Sequence, residues 1–308
     1  MDLKGAQILV TGTNDLLGAC VKELLTQQGA VVHAATKSSG YDMRNEAEVF
    51  AAILTARPDT VVHLASAHDQ VGSRAFRDNL LTGINIIHAT AVARCRLILG
   101  VPCSHAYDRP LAGESFWEGY PEPLENSYGV AKKTLHVMCE LYRKQHGLDF
   151  VYLVLSNLYG PFDSFRGDLL HFIPSMIAQI MKANNSGLDK TSLFAVGSPD
   201  TVRSFLHVRD AAEAIGCACS RVEHEDRILN ITGSEDTSSK DLASMVARLC
   251  DYKGELAFDE PSDLLPKYFV PSRGGVKKLL EWTPQVPLET GLGEMIQRFK
   301  EDKAPVSA

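Results

Sequence analysis

The feature that most constrains the fold is an alternation of short apolar runs with helix-length amphipathic segments through the first half of the chain. The runs are rich in β-branched residues. Strands of this kind are buried on both faces, and their alternation with helices is typical of a parallel sheet covered on both sides. The predicted strands are 7–11, 30–35, 60–65, 96–101 and 150–155, and the predicted helices are 16–28, 45–56, 76–94 and 128–146. The sequence therefore predicts an α/β fold with a doubly wound parallel sheet.

The first predicted strand leads into a glycine-containing turn that opens the first helix. In the loop 11–18, Gly12 allows a tight turn and Gly18 allows the helix to pack closely on the strand. A helix N-terminus at this position favours a pyrophosphate, so the loop predicts a Rossmann-type dinucleotide site. Asp15 stands where such loops carry a middle glycine. Its carboxylate either occupies the phosphate position or caps the helix, and the sequence leaves both open.

The tip of the second predicted strand carries no acidic residue. An Asp or Glu there would accept a hydrogen bond from the adenosine ribose of NAD. The sequence instead has Lys37, Ser38 and Ser39, a lysine and two hydroxyls that suit a 2′-phosphate. The pattern favours NADP as the cofactor, with NAD as the alternative.

The regular alternation of predicted strands and helices ends after residue 160. A loop rich in Phe, Asp and Gly is followed by a predicted helix at 173–183, and the last third has prolines between short predicted helices. Two later strands, 203–208 and 228–231, are expected to return to the main sheet. The sequence therefore predicts a dinucleotide-binding domain and a smaller C-terminal substrate-binding lobe. The domain comprises residues 1–160 plus 203–232, and the lobe comprises residues 161–202 plus 233–308.

The composition restricts the partners and the compartment. The chain carries a net charge of -7 and no long basic run, which argues against nucleic acid or an anionic membrane as a main partner. No apolar run reaches the roughly 18 residues that a spanning helix needs, so we expect a cytoplasmic protein. The seven cysteines include no CxxC pair and no matching His spacing. Neither a metal site nor a disulfide framework is predicted.

A tyrosine and a lysine four residues apart provide the clearest catalytic signal. Tyr128 and Lys132 share one face of a predicted helix, so we expect the phenol and the ammonium group to lie side by side. A free tyrosine ionises near pH ~10, and a nearby cation together with the helix N-terminus favours the phenolate. Tyr128 is therefore a candidate proton donor or acceptor near neutral pH. The pair alone would also fit a solvated helix face, and the remaining motifs favour catalysis.

Together these motifs resemble the extended short-chain dehydrogenase/reductase family, which is also the NAD-dependent epimerase/dehydratase family, and within it the GDP-fucose synthase branch. The segments that carry the resemblance are 11–18, 58–65, 127–132, 157–161, 171–174 and 203–208. The resemblance implies that Tyr128 exchanges a proton with a sugar oxygen while a hydride passes to or from a nicotinamide. It implies that Lys132 holds the nicotinamide ribose and lowers the pKa of Tyr128. It also implies cofactor contacts from Gly12, Asn14, Asp15, Leu16, Gly18, Lys37, Asp42, Leu64 and Ala65.

The chain departs from this family at the hydroxyl that normally assists the tyrosine. Counting back from Tyr107, the family's catalytic Ser or Thr position falls on Cys103, and Ser104 follows it. A thiol is a weak hydrogen-bond donor. Either Ser104 supplies the hydroxyl or the reduction step is impaired. Cys103 would equally suit a small buried residue at a strand end.

Two histidines stand at the branch's proton-transfer positions. In that branch a cysteine and a histidine move protons at the carbons beside the keto group, and the matching positions here are His105 and His171. Two imidazoles near their reference pKa of ~6.5 suit a base and an acid at neutral pH. The alternative is that His105 only contacts substrate hydroxyls, so that the enzyme reduces without epimerising.

Asn157, His171 and Arg203 match positions that face the nucleotide sugar. A guanidinium suits a diphosphate because it forms paired hydrogen bonds, although Arg203 would also fit an ion pair at a sheet edge. The resemblance further implies a homodimer that packs through the helices 76–94 and 128–146.

The first functional interpretation is an NADP(H)-dependent reductase, with or without epimerase activity, of a nucleotide-linked 4-keto-6-deoxy sugar. One alternative is a nucleotide-sugar 4-epimerase that keeps NAD tightly bound. Another is a binding protein on the same fold with weakened catalysis, which Asp15 and Cys103 favour and the Tyr128–Lys132 pair opposes. A 4,6-dehydratase is disfavoured, since those relatives carry Asp-Glu where this chain has Ser104 and His105.

Overall fold

The helices and strands of the protein were located in a computed structural model, which describes residues 3–67, 72–102, 127–161, 163, 172–193, 198–220, 227–258, 268–269 and 276–303. The strands are β1 Gln7–Thr11, β2 Val31–Ala35, β3 Thr60–His63, β4 Arg96–Pro102, β5 Phe150–Leu155, β6 Asn157–Tyr159, β7 Lys190–Leu193, β8 Val202–His207, β9 Ile228–Ile231, β10 Asp236–Ser238, β11 Glu255–Phe258 and β12 Tyr268–Phe269. The helices are α1 Leu16–Gln27, α2 Glu46–Ala56, α3 Ser73–Ala93, α4 Ser127–His146, α5 Phe172–Asn185, α6 Val208–Ser220, α7 Ser239–Leu249, α8 Val276–Leu280 and α9 Leu288–Lys303. A short 3-10 helix covers Lys37–Ser39.

Six parallel strands form the main sheet in the order β2-β1-β3-β4-β5-β9. The chain runs from β1 outward to β2 and then returns to β3 on the other side of β1, so the strand order reverses between β1 and β3. Ligands of open α/β sheets bind beyond the carboxyl ends of the strands at such a reversal. The predicted doubly wound parallel sheet is confirmed, and its switch point lies where the Gly12 loop leaves β1.

Helices cover both faces of this sheet because side chains alternate along each strand. Ile8 and Val10 pack in the layer formed with α1 and α6, whereas Leu9 packs in the layer formed with α2, α3 and α4. Helix α1 turns one apolar face inward, and Leu17, Val21 and Leu25 recur on it every four residues. Two-sided burial explains why these strands are apolar almost throughout.

A second sheet begins where the chain leaves β5. Strand β6 follows β5 after one residue and pairs with β8, which also pairs with β10 and β12. The expectation that residues 203–208 return to the main sheet is therefore wrong, although 228–231 do return as β9. The physical reason is that β9 occupies the position beside β5, so β8 pairs with the displaced strand β6 instead.

The residues after β5 have a core of their own. Side chains of α5, α7 and α9 pack together around Tyr159 and Phe205. Helix α9 is longer than the short helices expected in this part of the chain. The division of the chain into a domain and a lobe stays a prediction. No helix in the described ranges is both long and apolar enough to cross a membrane.

Candidate active site

The turn between β1 and α1 lies directly against the end of β3. Gly12 has a φ of +75°, and a Cβ on it would lie 2.8 Å from the backbone nitrogen of Ala65. A Cβ on Gly18 would overlap the carbonyl oxygen of Gly12. Thr11 Oγ1 accepts hydrogen bonds from the backbone N–H groups of Leu64 at 3.2 Å and Ala65 at 3.1 Å. Both glycines are therefore needed for the close packing of the loop, and Leu64 and Ala65 lie beside it.

Asp15 occupies the N-cap position of α1 without capping it through its side chain. Its backbone N–H donates to the carbonyl oxygen of Gly12 at 3.1 Å, and its own carbonyl accepts from Ala19 at 3.0 Å. Leu16 is the first residue of the helix. Of the two roles left open by the sequence, side-chain capping is not seen. A role of the carboxylate at the phosphate position stays a prediction.

The end of β2 joins the glycine loop through a polar contact. Asn14 Nδ2 donates to Ser38 Oγ at 3.2 Å, and Ser38 Oγ lies 2.9 Å from Thr36 Oγ1. The Lys37 side chain is 68% exposed, and its Nζ lies 3.7 Å from Asp42 Oδ2. The structure therefore brings together Lys37 and Ser38, which the sequence predicted for a 2′-phosphate, with Asn14 and Asp42, which the resemblance implied as cofactor contacts.

Asp42 is held in an internal ion pair. Arg44 Nη2 donates to Asp42 Oδ2 at 2.6 Å and Arg44 Nε to Asp42 Oδ1 at 3.0 Å, while Arg44 Nη1 donates to Asp78 Oδ2 at 3.1 Å. The hydrogen bond from Arg44 holds the pKa of Asp42 well below its usual range. The carboxylate is thus charged and engaged with arginine, and its contact with a cofactor stays a prediction.

Tyr128 and Lys132 lie together near the start of α4, as their spacing predicts. Lys132 Nζ is 5.0 Å from the centroid of the Tyr128 ring, and Lys132 is only 3% exposed. Burial lowers the pKa of Lys132 to about 8. Burial also raises the pKa of Tyr128, while a hydrogen bond from Ser66 acts in the opposite direction. The expectation of a lowered tyrosine pKa is not met here, because desolvation outweighs the favourable contacts.

The sequence did not single out Ser66, which contacts the tyrosine hydroxyl, or Asn79, which contacts Ser66. Ser66 Oγ lies 2.8 Å from Tyr128 Oη and 2.9 Å from Asn79 Oδ1. Asn79 is buried in α3, and its Nδ2 donates to the carbonyl oxygens of Ala75 at 2.9 Å and Ala67 at 3.3 Å. The signal that could have identified Ser66 is its place in the segment just beyond β3, which borders the switch point.

A buried histidine, His63, ends β3 and contacts the end of β1. His63 Nδ1 lies 2.9 Å from Thr11 Oγ1, and no partner for His63 Nε2 exists in the described part of the chain. Burial, followed by the charge of Lys132, lowers the pKa of His63 to about 3. His63 is therefore neutral at physiological pH.

Asn157 and Arg203 lie on the paired strands β6 and β8. Asn157 Nδ2 donates to the carbonyl oxygen of Ser204 at 3.0 Å. The Arg203 guanidinium lies 4.4 Å from the centroid of the Phe172 ring and donates to Ser239 Oγ at 2.9 Å. Burial lowers the pKa of Arg203 to about 10. A bound anion would favour the charged form of such a buried cation.

Four predicted site residues, Cys103, Ser104, His105 and His171, lie outside the described residues, so their roles stay predictions. Phe172, which follows His171, begins α5 and contacts Arg203. Within the described ranges, no group of three or more His, Cys, Asp or Glu side chains is placed to hold a metal ion.

Comparison with known proteins points to one family. The model of the NAD dependent epimerase/dehydratase family matches residues 8–232. Probable GDP-L-fucose synthase 1 of Oryza sativa subsp. japonica is 28% identical over 316 residues, which cover 97% of this chain and 93% of that protein. The GDP-L-fucose synthase of Escherichia coli (strain K12) is 25% identical over 319 residues, which cover 96% of this chain and 97% of that protein.

Solved structures show the same fold. The crystal structure of a GDP-L-fucose synthetase from Naegleria fowleri bound to NADP superimposes with a TM-score of 0.82 at 22% identity, and the match covers 97% of this chain and 95% of that chain. The similarity extends over the main sheet and the second sheet alike.

Proposed function

Because the chain belongs to the NAD-dependent epimerase/dehydratase family, we propose that it reduces a nucleotide-linked 4-keto-6-deoxy sugar with NADPH. The family resemblance expected from the motifs is confirmed by the match to residues 8–232. The observation that carries the proposal is the pairing of half-buried Tyr128 with buried Lys132 near the switch point of the sheet. Tyr128 contacts Ser66, and the neighbouring Ala65 lies against Gly12 of the dinucleotide loop, so the reacting group and the loop share one end of the sheet.

The residues at the glycine-loop end of the main sheet fit the phosphates of a dinucleotide. Close packing of Gly12 and Gly18 supports a pyrophosphate at the N-terminus of α1. The exposed cation of Lys37, beside Ser38, supports the 2′-phosphate of NADP. Lys132 would hold the nicotinamide ribose. The bound cofactor supplies the hydride.

The protonation state of the tyrosine favours reduction. A phenol whose pKa is raised by burial stays protonated at neutral pH, which is the form that donates a proton. As hydride reaches the carbonyl carbon, negative charge develops on the carbonyl oxygen. Tyr128 gives its proton to that oxygen and becomes a phenolate, which the ammonium group of Lys132 stabilises. A 4-epimerase would begin with the opposite transfer and would need Tyr128 as phenolate.

The nucleotide sugar is proposed to lie between β6, β8 and the start of α5. Arg203 would pair with the diphosphate, while Asn157 and His171 would contact the sugar. The curated relatives are named as GDP-L-fucose synthases, so a GDP-linked sugar is the first candidate. His105 and His171 are the proposed proton-transfer groups if epimerisation accompanies reduction.

Cofactor oxidation with a panel of sugar nucleotides tests the reductase function. Oxidation of NADPH and of NADH is followed with GDP-, UDP-, CDP- and dTDP-linked 4-keto-6-deoxy sugars. We expect turnover with NADPH and the GDP sugar, and no turnover with any nucleotide would contradict the proposal.

Proton exchange separates reduction from epimerisation. In deuterated water without NADPH, an epimerase washes deuterium into the carbons beside the keto group. We expect His105→Asn and His171→Asn to lose this exchange and to keep reducing the sugar. A wild-type reductase that shows no exchange would leave reduction alone as the function.

A homodimer through α3 and α4 belongs to the same proposal. Gly83 allows the two helices to approach, because a Cβ there would overlap the side chain of Leu135. Apolar side chains remain exposed on both helices, and these are Ile84, Val92, Val137 and Leu141. We expect a dimer by light scattering at micromolar concentration and a monomer after the double substitution Val137→Asp and Leu141→Asp. Leu54→Asp on α2 is the control, because Leu54 is also an exposed apolar residue, at 69%, but lies on neither helix.

A further inference from the structure

The orientation of the Asn79 amide is fixed by its neighbours. Its Nδ2 group donates to two backbone carbonyls, those of Ala75 and Ala67, and its Oδ1 accepts from the backbone N–H of Ala67 at 3.2 Å. Exchanging the amide oxygen and nitrogen would place the oxygen against two carbonyl acceptors and the NH2 group against the N–H of Ala67. Asn79 therefore presents an acceptor to Ser66 Oγ, 2.9 Å away.

Ser66 has one hydroxyl hydrogen and two oxygens within reach, Asn79 Oδ1 at 2.9 Å and Tyr128 Oη at 2.8 Å. It can donate to only one of them at a time. While Tyr128 is a neutral phenol, the Ser66 hydrogen is shared between these two acceptors, and the phenol proton is left for another acceptor. Once Tyr128 is a phenolate it is an acceptor only, so the Ser66 hydroxyl is drawn toward it.

We propose that Ser66 is the positioning residue for proton transfer by Tyr128, donating its hydroxyl hydrogen to the phenol oxygen and keeping that hydrogen bond as the phenol becomes a phenolate. Ser66 thereby supplies the hydroxyl that the family carries at the position of Cys103 in this chain. The proton given to the sugar comes from Tyr128, and Ser66 keeps its own proton. The inference rests on the proposed role of Tyr128 as proton donor.

Donation by Ser66 to the phenolate does not leave the Asn79 amide oxygen without a partner. When Ser66 donates to the phenolate, Asn79 Oδ1 still accepts from the N–H of Ala67. A donor to the phenolate stabilises the charged form and opposes the effect of burial on the pKa of Tyr128. The other titratable groups near this hydroxyl in the described residues are Lys132 on α4 and the neutral His63 on β3.

If the role of Ser66 were purely structural, its variants would behave differently. Ser66 would then only tie the segment after β3 to α3, and its loss would affect folding without changing the ionisation of Tyr128. The two roles separate in the variants Ser66→Ala, which removes the hydroxyl, and Ser66→Thr, which retains it. Ser244→Ala on α7 is the control, because the exposed hydroxyl of Ser244 donates to the carbonyl of Lys240 within its own helix.

The test measures the ionisation of Tyr128 directly and also in turnover. The full chain is produced with difluorotyrosine, whose lower intrinsic pKa brings ionisation into an accessible range, and fluorine NMR is followed against pH. The Tyr128 signal is identified by its loss in Tyr128→Phe. In Ser66→Ala we expect the midpoint to move to higher pH by about one to two pH units, the size expected for one hydrogen bond to a charged group. Ser66→Thr should return the midpoint toward the wild-type value.

In the reductase assay, Ser66→Ala should lower kcat about ten- to a hundredfold with little change in KM for either substrate. The high-pH limb of the pH profile of kcat should move to higher pH in this variant, as the NMR midpoint does. Ser244→Ala should leave both readouts unchanged. An unmoved Tyr128 midpoint in Ser66→Ala would overturn the inference, even if kcat fell. Because the NMR titration needs no substrate, it decides the role of Ser66 separately from the proposed function, which fails if Tyr128→Phe keeps normal turnover.

Discussion

The two ends of the proposed cofactor site use positive charge in different ways. At the reacting end Lys132 is 3% exposed, and burial lowers its pKa to about 8. At the adenosine end the Lys37 side chain is 68% exposed and lies 3.7 Å from a carboxylate oxygen. A buried charge is costly to hold and acts strongly on its neighbours, whereas an exposed charge is screened by water. The first arrangement suits catalysis, and the second suits recognition of a cofactor phosphate.

The largest effect should come from the reacting end, through Tyr128→Phe. The substitution deletes only the ionisable oxygen, so the proton of the reduced sugar loses its donor. We expect kcat to fall at least ~10²-fold, with the fold and the affinity for NADPH nearly unchanged. Steady-state kinetics and calorimetry with NADPH measure the two quantities. Near-normal kcat would show that Tyr128 is not the donor.

Lys132→Met should show how burial of this lysine affects the stability of the fold. The folded-state pKa of Lys132 is about 8 and the unfolded reference is 10.5, so the unfolded chain binds more protons between these values. The free energy of unfolding therefore rises with pH across this window in the wild type. We expect Lys132→Met to lose that rise and to be more stable at neutral pH by roughly 1–3 kcal/mol, while activity falls.

The control for this prediction is Lys144→Met, since Lys144 lies exposed on the same helix. Urea unfolding at a series of pH values provides the measurement. Equal pH dependence in the wild type and Lys132→Met would mean that the lysine is not penalised by burial.

Lys37→Ala should have a smaller effect, confined to the adenosine end. An exposed charge paired with a phosphate contributes about 1 kcal/mol, so the Kd for NADPH should rise about fivefold. The Kd for NADH should stay the same, because NADH lacks the 2′-phosphate. Lys22→Ala, on the exposed face of α1, is the matched control. A similar rise in Kd for both cofactors would remove Lys37 from phosphate recognition.

Asp15→Gly should have the smallest effect of the four. Because glycine is also accepted at an N-cap, replacing Asp15 there should change stability by only a few tenths of a kcal/mol. If the carboxylate faces the phosphates, calorimetry should show NADPH binding a few times more tightly at low salt, with the gain shrinking as salt is added. Unchanged affinity would place the carboxylate away from the cofactor.

The parts of the fold that local sequence specifies were predicted well. Residues 7–11 and 150–155 are β1 and β5, since an apolar run bounded by turns is enough to indicate a buried strand. The strand at 203–208 was also predicted, but its sheet was not. Pairing depends on which strand edges are free, and the return of β9 beside β5 is not encoded near residue 203.

In the site too, contacts within one element were predicted and contacts between distant segments were not. Tyr128 and Lys132 were placed together because their spacing acts within one helix. The contact between Ser66 and Tyr128 joins residues 62 positions apart, and no local pattern predicts it. The pKa of Tyr128 was expected to fall, since a nearby cation is visible in the sequence. Desolvation depends on the packing of the whole site and reverses that expectation.

The most direct test of the central claim follows the hydride and the proton together. NADPH carrying deuterium at its transferable position is supplied with a GDP-linked 4-keto-6-deoxy sugar, and the product is examined by NMR. The account predicts one deuterium on the former keto carbon for the wild type, and transfer at least ~10²-fold slower for Tyr128→Phe. A wild type that binds NADPH and the sugar yet transfers no deuterium, or a Tyr128→Phe variant that transfers it at the wild-type rate, would contradict the account.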